Sequence, residues 1–368
     1  MITVYKCTKC SIEYPAPTHD QRCARCGNLL KATQVAPPAA SIVTGRALES
    51  TTALTPPAEL VPVEGHVVLV CDGTDSMRET AFPKENKQLT RLQVVTSAIQ
   101  DAFAHMHSLG KKDTAFVTFI AYGRRAKIMT DRQGQPFIKP VAKILEEFGE
   151  PAARQKAKNA GLQWDQLSPE QKAKLLEEVG IGAYLYDQLV NDRPDVGPTG
   201  TNITAALTLG REIADATLAG SLEHFGIPNT VSLIEQKPIW ISETEKIMLP
   251  NIRCVIYTDG EHNIGELRNA FASFPPRSVL MTAFIGDRET NNKTKKGSDE
   301  MKKLANICPL HNAPGYFLVN STLRHDYLRR LYHMATGTSG LCPSCMLDQH
   351  VRLEEPDKPY AEDAELTI

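Results

Sequence analysis

Residues 67 to 77 run VVLVCDGTDSM: an apolar stretch that ends in Asp72 and Gly73 and then offers Thr74, Asp75 and Ser76. Side chains at 72, 74 and 76 alternate, so a turn leaving a strand can aim three oxygens at one point. Carboxylate and hydroxyl oxygens suit a hard cation such as Mg2+, which takes about six oxygens in octahedral array. Matching oxygen donors occur downstream. GPTGTN (197–202) precedes a helical segment and supplies Thr201, and VIYTDGEHN (255–263) is an apolar run ending in Thr258 and Asp259. In an open parallel sheet, ligands collect at the carboxyl ends of strands, and Asp72 and Asp259 both occupy such ends. A phosphatase of the haloacid dehalogenase type would need a nucleophilic Asp two residues before Asp72. Val70 stands there, so that chemistry is excluded.

The cysteines suggest a second kind of site. Cys7, Cys10, Cys23 and Cys26 form two CxxC knuckles separated by twelve residues, a spacing that closes a tetrahedral zinc site. A unit as short as residues 1–31 depends on such a metal to fold, and four protein ligands make the site structural. Lys6, Lys9, Arg22, Arg25 and Lys31 make this unit basic, which permits nucleic-acid contact but equally suits a solvated or protein-docking surface. Cys342 and Cys345 supply half of another site. Cys308 and His311, in CPLH, complete a candidate second zinc site at the sheet edge opposite Asp72, with His350 as a substitute ligand. The competing reading is a buried Cys308, a surface His311 and a reduced or redox-active CxxC pair. Cys71 and Cys254 lie inside apolar strands and are expected in the core.

The elements that must position these groups form a regular pattern from Gly65 onward. HVVLVCD, DTAFVTFIAYG, RCVIYTDG, SVLMTAFIGD and GYFLVN are near-continuous apolar runs, the mark of strands covered on both faces. AKIMT suits a short edge strand. RLQVVTSAIQDAFAHMHSLG places Leu92, Val95, Ala98, Ile99 and Phe103 on one helical stripe, TNITAALTLGREIADA is amphipathic, helical segments are expected after each later strand, and the last helix is STLRHDYLRRLYHMATG. Alternating strands and helices predict a three-layer, doubly wound α/β domain around a mostly parallel sheet. Residues 32–64, with five prolines and little charge, read as a tether. Residues 131–196 read as a polar helical insertion, with Ser168, Pro169 and Gly180 marking one helix within it, and 217–250 as a second insertion. The end of the chain, 341–368, holds the last CxxC and an acidic tail.

Net charge is −2, and no apolar run is long enough to span a bilayer. MITVYKCTKC lacks the apolar stretch of a secretory signal, so the expectation is a cytoplasmic protein whose cysteine pairs bind metal.

On Asp72, Thr74 and Ser76 in DGTDS, Thr201 in GTN and Asp259 in TDG, residues 65–340 resemble the von Willebrand factor type A (vWA) family, whose domains are Rossmann-like. That family's metal-ion-dependent adhesion site is written DxSxS, then a Thr in a GT loop, then an Asp in a strand-end TDG. Here Thr74 stands for the usual Ser, keeping the hydroxyl and adding a methyl. GPTGT also contains Thr199, but Gly200 before and Asn202 after favour Thr201. The resemblance implies that Asp72, Thr74, Ser76, Thr201 and Asp259 hold Mg2+ or Mn2+ directly or through water, with an open position for a Glu or Asp of another protein. Asp75, Glu261 and His262 are expected to be solvated loop residues, the alternative being that they tune the site. The leading expectation is a non-enzymatic scaffold with a zinc ribbon as second interaction module. The alternatives are a nucleic-acid adaptor acting through the basic ribbon, a metal-dependent hydrolase at Asp72, or a thiol oxidoreductase at Cys342 and Cys345.

Overall fold

The structure is a computed structural model that describes residues 2–7, 13–14, 30–35, 60–81, 89–105, 113–191, 196–197, 199–240, 246–260, 262–272, 278–286, 292–308 and 313–319. The chain divides into two compact units, Met1–Pro57 and Ala58–Ile368.

In the first unit, β1 (Ile2–Cys7) pairs antiparallel with both β2 (Glu13–Tyr14) and β3 (Leu30–Val35). Residues 32–35, read from composition as the start of a tether, are thus paired strand. Cys7 ends β1; Cys10, Cys23 and Cys26 lie outside the described residues.

The second unit begins with β4 (Val61–Val63) and β5 (Gly65–Asp72). After α1 (Arg91–His105), β6 (Ala115–Tyr122) pairs parallel with β5, and β7 (Ala126–Ile128) and β8 (Ile138–Pro140) both turn back antiparallel on β6. The helices α2 (Val141–Phe148), α3 (Glu150–Asn159), α4 (Pro169–Val179) and α5 (Ile181–Asn191) follow. The chain returns through α6 (Ile203–Ala219), β9 (Thr230–Ser232), which pairs parallel with β4, and the hairpin β10 (Gln236–Trp240) and β11 (Lys246–Pro250). Then come β12 (Ile252–Thr258), β13 (Val279–Ile285), α7 (Asn292–Leu304), the short pair β14 (Ile307–Cys308) and β15 (Ala313–Pro314), and β16 (Tyr316–Val319). The main sheet has the order β16-β13-β12-β5-β6-β7, with β8 also on β6. Strands β16, β13, β12, β5 and β6 are mutually parallel.

The apolar runs work as expected for a doubly covered sheet. Along β5, Val67, Leu69 and Cys71 pack with Leu92, Val95 and Ile99 of α1 and with Ile181 and Leu185 of α5. Val68 and Val70 face the other way, into Ile203, Leu207 and Ile213 of α6 and Met301 of α7. A strand side chain alternates faces every residue, so each face needs its own helical cover, and that gives three layers. Each fully buried aliphatic or aromatic side chain here contributes roughly 1.5–3 kcal/mol of transfer free energy. Cys71 and Cys254 are buried thiols within this core.

The 131–196 insertion is helical, but it is less polar in its packing than its composition suggests. Phe137 meets Phe119 of β6 edge-on at 4.8 Å and stacks on Phe148 of α2 at 6.0 Å, and the Arg132 guanidinium lies 4.5 Å over the Phe148 ring. Helix α4 carries the expected start signal as a full capping box, with Ser168 accepting from Gln171 N, Pro169 in the first turn, and Gly180 at its end. A further expectation fails. Between β12 and β13, residues 262–272 form no helix. Their backbone is tied instead to the start of α6: Arg268 N donates to Thr204 Oγ1 at 2.9 Å, and Thr204 Oγ1 donates to Glu266 O at 2.8 Å. The final helix expected at 321–337 lies outside the described residues.

Candidate metal centre

Strand register brings the two aspartates together. Because β12 pairs in parallel with β5, Tyr257 sits opposite Cys71 and the next residues, Thr258 and Asp72, leave the sheet side by side. Thr258 Oγ1 donates to Asp72 Oδ2 at 2.7 Å, and Thr74 N closes the turn by donating to Asp72 Oδ1 at 2.9 Å. Ser76 Oγ donates to Asp259 Oδ1 at 2.8 Å. That bond uses the only hydroxyl proton of Ser76, so in the 3.1 Å contact between Thr74 Oγ1 and Ser76 Oγ, Thr74 is the donor. Both hydroxyl oxygens keep a lone pair available for another electrophile.

The third segment reaches the same rim. Asn202 N donates to Gly123 O at 2.8 Å, and Arg125 N donates to Val196 O at 2.8 Å, binding residues 196–202 to the end of β6. A β-carbon on Gly123 would fall 2.3 Å from Gly197 O, so only glycine admits this approach. Gly200, at φ 95°, turns the chain into Thr201. Thr201 N donates to Asn263 Oδ1 at 2.7 Å, Asn263 N returns a bond to Thr201 O at 3.1 Å, and Thr201 Oγ1 lies 3.8 Å from the β-carbon position of Gly260, beside Asp259. Thr199 is exposed and Thr201 buried, so the register that puts Thr201 inward is the one the chain adopts.

Asp72, Thr74, Ser76, Thr201 and Asp259 therefore lie on three segments meeting at one end of the sheet. Asp72 is fully buried, and its carboxyl is pushed up to about 7, first by burial and then by repulsion from Asp259. Asp259 is also raised, by burial, against the opposing pull of Arg91. Arg91 Nη1 donates to Asp259 Oδ2 at 2.5 Å and to Ser76 O at 2.9 Å. Nothing in the sequence pattern marks Arg91 for this place: it is the first residue of an amphipathic helix and is distant in sequence from Asp259.

The donor set fits a hard divalent cation. All five side chains offer oxygen, two are carboxylates, and the more deeply buried carboxylate lacks a cation among its hydrogen-bond partners. Among the described residues, no three His, Cys, Asp or Glu side chains cluster as a metal-ligating group; hydroxyls make up the majority here.

Of the neighbouring residues, Asp75 is exposed as expected, and Glu261 lies outside the described residues. His262 is not a solvated loop residue. It is buried at 7% exposure, its Nδ1 accepts from Ile203 N at 3.2 Å, its own N donates to Glu300 Oε2 at 2.9 Å, and burial lowers its pKa. Cys308 ends β14; Asn306, just before that strand, donates to Leu280 O near the start of β13, at the rim opposite Asp72. His311, Cys342, Cys345 and His350 lie outside the described residues. Among the described residues, no helix is long and apolar enough to cross a membrane.

No family model matches the chain, and no curated protein sequence matches it. Solved structures with some likeness include proximal thread matrix protein 1 from the mussel byssus. It is 11% identical with a TM-score of 0.36, over 76% of this chain and 50% of that one. The pilus adhesin SpaC from Lactobacillus rhamnosus GG is 11% identical with a TM-score of 0.37, over 74% of this chain and 30% of that one. An aerotolerance-related membrane protein from Bacteroides fragilis is 14% identical with a TM-score of 0.36, over 75% of this chain and 100% of that one. The chain thus spans half or less of the first two. Likenesses this remote carry no argument.

Proposed function

We propose that this chain is a vWA-type binding protein that engages an acidic side chain of a protein partner through a divalent cation. Asp72, Thr74, Ser76, Thr201 and Asp259 would hold Mg2+ or Mn2+, and the ion would supply an electrophilic position for a partner's Glu or Asp. The observation that carries this reading is the buried pair Asp72 and Asp259 at one strand-end rim, with the Thr258 hydroxyl on Asp72, the Ser76 hydroxyl on Asp259 and Thr201 alongside. Two carboxylates balance a divalent charge and leave it able to accept one more anionic ligand. Residues 1–31 would act as a zinc ribbon and second interaction module. This is supported by the two CxxC knuckles and by the antiparallel pairing of β1 with β2 and β3.

The test is co-purification of partners on immobilised wild-type and Asp259→Asn chains, with Mg2+ and with EDTA. Proteins retained by wild type in Mg2+, lost in EDTA and lost with Asp259→Asn are the expected result. A partner set unchanged in all conditions would remove the metal-bridge reading. Metal analysis of the same material should find zinc, and none would remove the ribbon.

A further inference from the structure

Each of the four carboxylate oxygens of the acid pair is already engaged from within the chain. Asp72 accepts from Thr74 N and Thr258 Oγ1, and Asp259 accepts from Ser76 Oγ and Arg91 Nη1. Among these partners only Arg91 is charged. Its side chain is 14% exposed and that of Asp259 1%, so the ion pair is shielded from water on the Asp259 side. Among the described residues, the side-chain hydrogen bonds of Arg91 all leave one nitrogen, Nη1: to Asp259 Oδ2, Ser76 O and the exposed Glu79 Oε2 at 3.2 Å. Its Nε is buried without a partner, 3.4 Å from the β-carbon position of Gly286. A guanidinium that leaves a buried N–H unpaired to keep one nitrogen on a carboxylate is held there by charge rather than by a complete hydrogen-bond fork.

We infer that Arg91 is the resident counter-ion of the acid pair, and that it and a divalent cation oppose each other's binding at Asp259. Two carboxylates and one guanidinium sum to −1. A divalent ion added with Arg91 in place makes the cluster +1, whereas with Arg91 withdrawn the cluster is neutral. In a site this buried, like charges at close range are penalised far more than in water. The ion therefore enters as the Arg91 Nη1–Asp259 Oδ2 bond opens, and Glu79, already in contact and exposed to solvent, is the alternative partner that receives the guanidinium. The chain thereby sets its own metal affinity, and metal loading changes what α1 presents at its first residue. This rests on the proposed metal-binding role of the five oxygen donors.

The experiment is calorimetric titration of Mn2+ into the metal-free full chain, comparing wild type, Arg91→Gln and Arg91→Lys. Arg91→Gln should bind Mn2+ about tenfold more tightly, within the roughly 5- to 150-fold span usual for coupled sites. Arg91→Lys, which keeps the charge, should stay much nearer to wild type. A merely structural role for Arg91 would loosen binding or leave it unchanged, and either result overturns the inference. If Arg91→Gln does not fold, the wild-type chain still decides the matter by 15N NMR of arginine side chains. The Arg91 guanidinium signal, assigned by its loss in Arg91→Lys, should move on saturation with Mg2+, and a signal that stays put overturns the inference. Equal Mn2+ affinity in wild type and Arg91→Gln would sink only this antagonism. No Mn2+ binding by either would sink the metal site with it.

Discussion

Asp72 and His66 stand on the same strand, both fully buried, and their protonation answers to opposite demands. The His66 ring is held by Thr217 Oγ1 on Nδ1 and Thr118 Oγ1 on Nε2, each at 2.7 Å. Thr217 spends its proton on Ile213 O at 2.8 Å, so it accepts from His66 Nδ1–H, which leaves Nε2 of a neutral ring to accept from Thr118. Burial pushes the pKa of the ring down to about 3 from 6.5, so it is neutral at pH 7. A histidine depressed in the folded state contributes stability that is fully present above pH 6.5 and is lost as pH falls toward 3. His66→Gln can donate and accept but does not titrate. It should flatten the pH dependence of unfolding in that window by one proton, about 1.4 kcal/mol per pH unit, as read by urea titrations at several pH values.

Asp72 runs the other way. Its carboxyl is raised to about 7 from 3.8, so the metal-free fold loses stability as pH climbs through that interval. Asp72→Asn should stabilise the metal-free chain at pH 8 by about 1–3 kcal/mol while abolishing Mn2+ binding, because it removes a buried charge that lacks a counter-ion of its own. Thermal unfolding with calorimetry checks both halves, and a less stable variant would contradict the reading of Asp72 as an uncompensated charge. At this scale the residue types and spacing of 72, 74, 76, 201 and 259 were legible in the sequence. Arg91 and the burial of His262 were not, because each depends on contacts with residues far along the chain.

At the scale of elements, the segment 196–202 does for Thr201 what β5 and β12 do for the aspartates. Its attachment depends on the close passage of Gly123 beneath Gly197. Gly123→Ala must push the two backbones apart and should cost about 1–3 kcal/mol. It should also weaken Mn2+ binding, since Thr201 moves with the loop; unchanged affinity would mean that Thr201 plays no part. The five parallel strands were readable because an apolar run without alternation is what a doubly covered strand requires. The stretch 262–272, expected to be helical because it follows a strand, instead has the backbone of Glu266 and Arg268 bonded to the Thr204 hydroxyl at the start of α6. Tertiary hydrogen bonds outweighed local propensity there. The pairing of β4 with β9, three residues each, left no periodic signal at all.

Across the whole second unit, the helical insertion and the site are mechanically joined. Arg78, on the turn that carries Ser76, donates to Val190 O near the end of α5 at 2.9 Å, and α5 in turn packs on α1, which carries Arg91. Metal binding should therefore register as global stability. At a free Mn2+ concentration 100 times its Kd, the chain should gain about 2.7 kcal/mol against unfolding, reversed by EDTA and absent in Asp72→Asn. A Tm that ignores Mn2+ at such concentrations would contradict a site built into the core. The sequence alone determined the kinds of donor, their order and the strands that carry them, because ligand chemistry and hydrophobic period are properties of neighbours in the chain. Tertiary structure decided the charge balance. The register of β12 on β5 sets Thr258 against Asp72, and the packing of α1 brings Arg91 onto Asp259. Such pairings between distant residues leave no trace in local spacing, yet they determine how strongly a buried acid pair calls for a cation.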